Sequence, residues 1–186
     1  SNTMFNYQNI SQADEGSYNL LTPISASRFM LPYYNPFKAD GSLASIEDGS
    51  WNGTGQNPLE WLENNPLTYK KYKVLSTLYA EFTLYKNLIF KSQFGVDYSH
   101  TTGFSQSFPE YKPNLGDGSA ARSSTDGLSL QVSNTLTYRF DIDNTHDFNF
   151  LIGQEALTCH NERFSVTTKG QTNNKLTDIS TGTRAT

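Results

Sequence analysis

Charge is scarce in this sequence, and neither sign dominates. Of 186 residues, 14 are Lys or Arg and 18 are Asp or Glu, a net charge of −4. No basic stripe runs along the chain, so it carries no footprint for nucleic acid. Cysteine is nearly absent. The lone Cys159 excludes an internal disulfide and any cysteine-rich zinc site. No apolar run approaches the ~18 residues of a membrane-crossing helix, and the mean hydropathy is −0.58. An initiator Met and a leader pattern are missing too. Ser1-Asn2 fits a tag remnant, so an excised fragment is as natural a reading as a mature chain.

What is present favours strands. Aromatic residues reach 13%, with 11 Tyr and 12 Phe, and Asn, Ser, Thr and Gly fill much of the rest. That mixture suits β-strands joined by polar loops and disfavours long helices. Residues 1–71 read as a long loop region. Within it, Asn57-Pro58-Leu59-Glu60 predicts a short helix near 57–64, with Asn57 as cap, Pro58 at the first helical position and Glu60 completing a capping box. Asn64-Asn65-Pro66 ends it. Residues 72–169 read as antiparallel strands of two or more hairpins, and 170–186 as loop or tail.

The strand signal is a period of two. Val74, Ser76, Leu78, Ala80, Phe82 and Leu84 share one face, and Leu75, Thr77, Tyr79, Glu81, Thr83 and Tyr85 share the other. After Tyr85-Lys86-Asn87 the pattern resumes, with Leu88, Phe90, Ser92, Phe94, Val96 and Tyr98 alternating with Ile89, Lys91, Gln93, Gly95, Asp97 and Ser99. A turn at 85–87 pairs Leu84 with Leu88 and Phe82 with Phe90, places Glu81 opposite Lys91, and requires a left-handed Asn87. Residues 101–126 read as a long loop. A third strand, Leu128–Phe140, and a fourth, near Phe148–Cys159, flank a turn at 141–147. Pairing Phe140 with Phe148 brings Asn134 to Gln154. A further strand near Arg163–Lys169 is possible.

The two short turns fall on one side and the long loops on the other, as in outer-membrane barrels. Strands of 11 or more residues exceed the ~9–11 needed to cross a bilayer. Tyr98 and Tyr138 suit an interfacial aromatic girdle. Alternation is equally a property of a soluble β-sandwich with one wet face, and taken alone it points to that commoner architecture.

Several motifs, in order, resemble one family. They are Leu31-Pro32-Tyr33-Tyr34-Asn35-Pro36 with Asp40-Gly41-Ser42, then Asn57-Pro58-Leu59, then Leu88–Tyr98, Leu136-Thr137-Tyr138, and His146–Glu155. Their order and spacing over about residues 30–160 is similar to that of the SusC/RagA-like, TonB-linked outer-membrane transporters of Bacteroidetes. The resemblance implies an all-β fragment from the middle of a barrel of about 22 strands, with nothing matching the plug or the C-terminal end. The parent protein would sit in the outer membrane of a Gram-negative cell, its strands against membrane lipid. It would import oligosaccharides or peptides with a SusD-type lipoprotein, driven through TonB. Neither enzymatic activity nor a cofactor is implied. Such a fragment cannot close a barrel, so as a soluble piece it is expected to pack as a two-layer sheet or to self-associate into an oligomer.

Candidate site residues are few. Trp51, Tyr33 and Tyr34 fall in what would be extracellular loop, where flat aromatic faces can stack on a ligand such as a sugar; packing the loop against the barrel rim is the plainer role. Glu47/Asp48 and Glu60/Glu63 are the nearest carboxylate pairs, and neither has a His beside it. Asp141, Asp143 and Asp147 resemble a calcium loop but lack its glycine, and Cys159-His160 has no second ligand pair. Beside the transporter fragment stand two alternatives: a soluble β-sandwich carbohydrate-binding module and a β-rich glycan hydrolase.

Overall fold

A computed structural model describes residues 1–12, 23–111, 118–143 and 145–185. The loop expected over 13–22, the segment 112–117 with Pro113, Asn144 of the second turn, and Thr186 lie outside the described residues.

Six strands form one antiparallel sheet in sequence order. They are β1 (Asn2–Gln12), β2 (Leu67–Tyr85), β3 (Leu88–Ser107), β4 (Gly118–Ile142), β5 (His146–Gln171) and β6 (Arg184–Ala185). Two short helices, α1 (Pro23–Phe29) and α2 (Pro58–Asn64), precede β2. A single open sheet is not the two-sheet sandwich of the alternative reading.

Strand bounds differ from expectation in several places, among them β2, which begins at Leu67 inside the expected loop region, and β6 in the expected tail. Residues 2–12 are a strand and not loop. β3 and β4 extend through most of 101–126, leaving only the connection around 108–117. The fourth and fifth expected strands are one, β5. The common cause is loss of the alternation signal: where neither face of a strand is apolar, the sequence shows Ser, Thr, Asn and Gln and reads as loop.

The chain divides into two compact units. The first comprises 1–8, 71–101 and 125–163. Its pairing follows the expected registers. Tyr72 meets His100 with ring centroids 6.4 Å apart. Asn134 Nδ2 donates to Gln154 Oε1 at 3.1 Å, Phe140 stacks on Phe148 at 5.2 Å, and Ser129 Oγ donates to Cys159 Sγ at 3.5 Å. β1 joins through Thr3 and Ser76 at 3.0 Å and through Tyr7 and Tyr72 at 5.0 Å. Asn87 has φ 67°, the left-handed geometry its turn demands. At the second turn Asp143 has φ 55° and Thr145 N–H donates to Ile142 O at 3.1 Å.

No described residue of this unit is buried. Leu78 is 56% exposed, Phe82 54%, Phe94 42%, Phe150 57% and Ile152 74%, all on one side of the sheet. So large an apolar surface calls for a covering that no described residue of this unit supplies.

The second unit comprises 9–70, 102–124 and 164–186. It holds all the buried residues described, among them Ala26, Ala44, Trp51, Asn57, Tyr111, Ala120 and Gln171. Gln106 N–H donates to Pro66 O at 3.1 Å and Phe108 N–H to Asn64 O at 3.0 Å, carrying the β2–β3 pairing up to the end of α2. β6 closes the edge of β5, with Thr168 opposite Ala185 and Lys169 opposite Arg184.

Candidate functional site

Two features of the structure bear on function: an ordered aromatic loop in the second unit, and the contrast between the two faces of the sheet in the first.

The loop is organised by Asn57, which is fully buried. Its side-chain oxygen accepts from Leu59 N–H at 3.1 Å, capping α2, while Nδ2 donates to Pro36 O at 2.8 Å and Ala44 O at 2.7 Å. One side chain thus satisfies a helix terminus and two buried carbonyls. Ala44 N–H donates to Pro36 O at 2.9 Å, and Phe37 bridges Leu43. The Asp40-Gly41-Ser42 turn fits between them, with Gly41 at φ 83° and Ser42 N–H donating to Asp40 Oδ1 at 3.0 Å.

On this frame Tyr33, Tyr34 and Trp51 come together. Tyr33 lies edge-on to Tyr34 at 5.0 Å, and Tyr34 lies 6.0 Å from Trp51. Their exposures differ sharply. Tyr33 is 73% exposed, but Trp51 only 7%. The Trp51 indole N–H donates to Gly55 O at 2.9 Å, and a Cβ at Gly53 would fall 2.3 Å from the Trp51 ring. Trp51 is thus the floor of the cluster, and Tyr33 its open face.

The acidic residues near it are engaged structurally. Asp48 pairs with Lys38 and accepts from Ser50, and these bonds hold its carboxyl far below the usual range. Burial raises the Glu60 carboxyl, and Glu47 and Asp48 push the same way, while Ser45 and Lys38 oppose. No cluster of three or more metal-ligating side chains occurs among the described residues. Cys159 and His160 are successive residues of β5 and so point to opposite faces, which prevents them from holding one ion.

In the first unit the apolar face is a band. On β4 it runs from Leu128 to Phe140, and on β3 from Leu88 to Tyr98. At about 3.4 Å per residue and a tilt of about 40°, the β4 span covers roughly 30 Å, the thickness of a bilayer's hydrocarbon core. Aromatic residues mark both margins. Tyr138, Phe140, Phe148 and Phe150 gather toward the short turns. Tyr7 and Tyr72 gather at the other margin with Tyr98, whose hydroxyl donates to Asp126 Oδ1 at 3.1 Å. His100 Nδ1 shares that oxygen at 2.6 Å. Asn134 and Gln154 sit mid-band, bonded to each other.

The opposite face carries Thr77, Gln93, Ser129, Gln131, Thr135 and Cys159, interrupted by the apolar Leu75, Ile89, Leu151 and Leu157 and by Tyr79 and Tyr85. Lys73 pairs with Asp97 at 2.9 Å. Lys91 does not pair with Glu81 as the register alone suggests; its ammonium lies over the Tyr79 ring at 5.1 Å, an aromatic face being the competing partner for an exposed cation.

No family model and no curated protein matches the sequence. Solved structures do. The structure of the RagAB peptide transporter is similar over 98% of this chain, with a TM-score of 0.73 and 24% identity. The RagAB peptide importer in its "open-open" state gives 0.74 and 24%, and in its "closed-closed" state 0.73 and 25%, each also over 98% of the chain. In all three the match spans only 21% of the other chain. The chain therefore has the fold of a segment of the RagAB transporter, in agreement with the SusC/RagA-like resemblance its motifs carry.

Proposed function

We propose that the chain is a wall segment of a TonB-dependent importer in the outer membrane of a Gram-negative cell. The observation that carries this is the sheet of the first unit: a bilayer-high apolar band on one face, a more polar opposite face, and no described residue buried between them. Such a sheet is complete when lipid covers one face and a water-filled lumen the other. The short turns then lie on the periplasmic side, and the loop region that precedes β2 is extracellular. The work of the parent protein is transport and not catalysis. Its cargo is a peptide in preference to an oligosaccharide, since the similar structures are of a peptide importer. A SusD-type lipoprotein on the outside and the TonB complex on the inside are its partners, and Tyr33 and Tyr34 contact the cargo above Trp51. Outside a bilayer, the bare apolar face and open strand edges of the isolated segment drive self-association.

Spin labels test the assignment of faces. In the natural protein that contains this segment, with Cys159→Ser to remove the native thiol, single cysteines replace Gln93, Phe94, Leu130 and Gln131. In liposomes, labels at 94 and 130 should be reached by oxygen and shielded from a polar nickel chelate, and labels at 93 and 131 should show the reverse. Equal access of the chelate to all four sites would refute the barrel wall.

A further inference from the structure

The apolar band ends at Tyr72, and the next residue on that side of β2 is Lys70, which is exposed. Similar steps lead in β3 to Thr102 and Phe104, and in β4 to Ser124 and Arg122. Here the second unit has a cavity of about 530 Å³ lined by Thr68, Lys70, Phe104, Arg122, Ser124 and Phe164 among others. The Arg122 guanidinium lies over the Phe104 ring at 5.4 Å, which orients a cation that would otherwise be mobile. Its carboxylate neighbour, Asp178, is 3.9 Å away, and both side chains are about 60% exposed. An exposed pair at that distance is worth little, so the guanidinium keeps its capacity for an anion. Two cations, hydroxyl donors and two phenyl rings thus share one hollow of the second unit.

We propose that this hollow seats the phosphorylated headgroup of an outer-leaflet glycolipid, with Lys70 and Arg122 on its phosphate and Phe104 and Phe164 against its apolar shoulder. Bidentate contact suits Arg122, and a point charge suits Lys70. A lipid fits better than a soluble anion because Phe104 and Phe164 add apolar surface that a free phosphate cannot use. The proposal rests on the barrel-wall reading, which fixes this side as the lipid side.

The natural protein containing the segment, in phosphatidylcholine nanodiscs doped with diphosphoryl lipid A or with its dephosphorylated form, provides the test. Lipid retained on the protein is counted by native mass spectrometry. The phosphorylated lipid should be retained in preference. Lys70→Ala and Arg122→Ala should each lower retention about fivefold, as expected for one basic side chain at an anionic membrane surface, and Lys70→Arg should restore it. Equal retention of the two lipids, or no loss in the double variant, overturns the site. Binding of inorganic phosphate alone, with the same dependence on Lys70 and Arg122, overturns the lipid assignment. Normal spin-label alternation with unchanged retention removes this site only, whereas lost alternation removes the barrel wall and the site together.

Discussion

The aromatic cluster of the second unit shows how one residue's neighbours decide its role. Trp51 is the residue that composition singles out for ligand stacking, yet its ring is spent inside the loop. Gly53 has no side chain where the indole lies, and Gly55 O takes the indole proton. A tryptophan sealed at 7% exposure offers no face to a ligand. Tyr33 does, and Trp51 supports it through Tyr34. If the parent takes peptides as proposed, Tyr33→Ala is expected to weaken their capture roughly two- to tenfold, the loss of one aromatic contact, as read by isothermal titration with the fold intact by circular dichroism. Unchanged affinity would take Tyr33 out of the cargo site. The sequence could name the three aromatics, because aromatic residues in wet loops are conspicuous. It could not rank them, because Trp51's burial depends on Asn57 tying Pro36 and Ala44 together across the loop.

At the scale of elements, the hairpin β2–β3 was fully legible and the strand extensions were not. Alternation, a short turn and a residue tolerant of left-handed geometry all agree at 85–87, and Asn87 takes φ 67°. Replacing it tests how much that residue contributes. Asn87→Gly should leave stability nearly unchanged, since glycine takes this region freely. Asn87→Val should cost about 1–2 kcal/mol, the penalty for a side chain forced into left-handed backbone. Urea titration of the protein in liposomes measures both; equal stability of the two variants would show that the turn relaxes to another type. α2 was legible for a similar reason, because cap, proline and stop signal are all local. β1 was not: its Asn and Gln have low strand propensity, and pairing with the edge of β2 overrides that propensity. The ends of β3 and β4 were hidden for a different reason. Beyond the apolar band both strands are mostly Ser, Thr, Gly and Ala, so nothing in the sequence alternates.

For the whole molecule, the medium around the apolar face decides the architecture, and the Asn134–Gln154 pair reports on it. The two amides sit mid-band, at the level where a barrel wall meets hydrocarbon, and they bond to each other at 3.1 Å. In water either amide could lose its partner at little cost, because solvent would replace it. In hydrocarbon nothing would. Removing one partner should therefore be worse than removing both. Asn134→Leu and Gln154→Leu should each destabilise the protein, while the double variant should recover most of the loss. The coupling should be about 0.5–1.5 kcal/mol, the range for hydrogen bonds between side chains in a bilayer. Folding equilibria of the natural protein in liposomes give the four free energies of this cycle. A coupling near zero, with both single variants as stable as the parent, would place this face in water. The sheet would then have to find its covering in protein, and the lipid-facing wall would be the wrong architecture for a strand pattern otherwise suited to it.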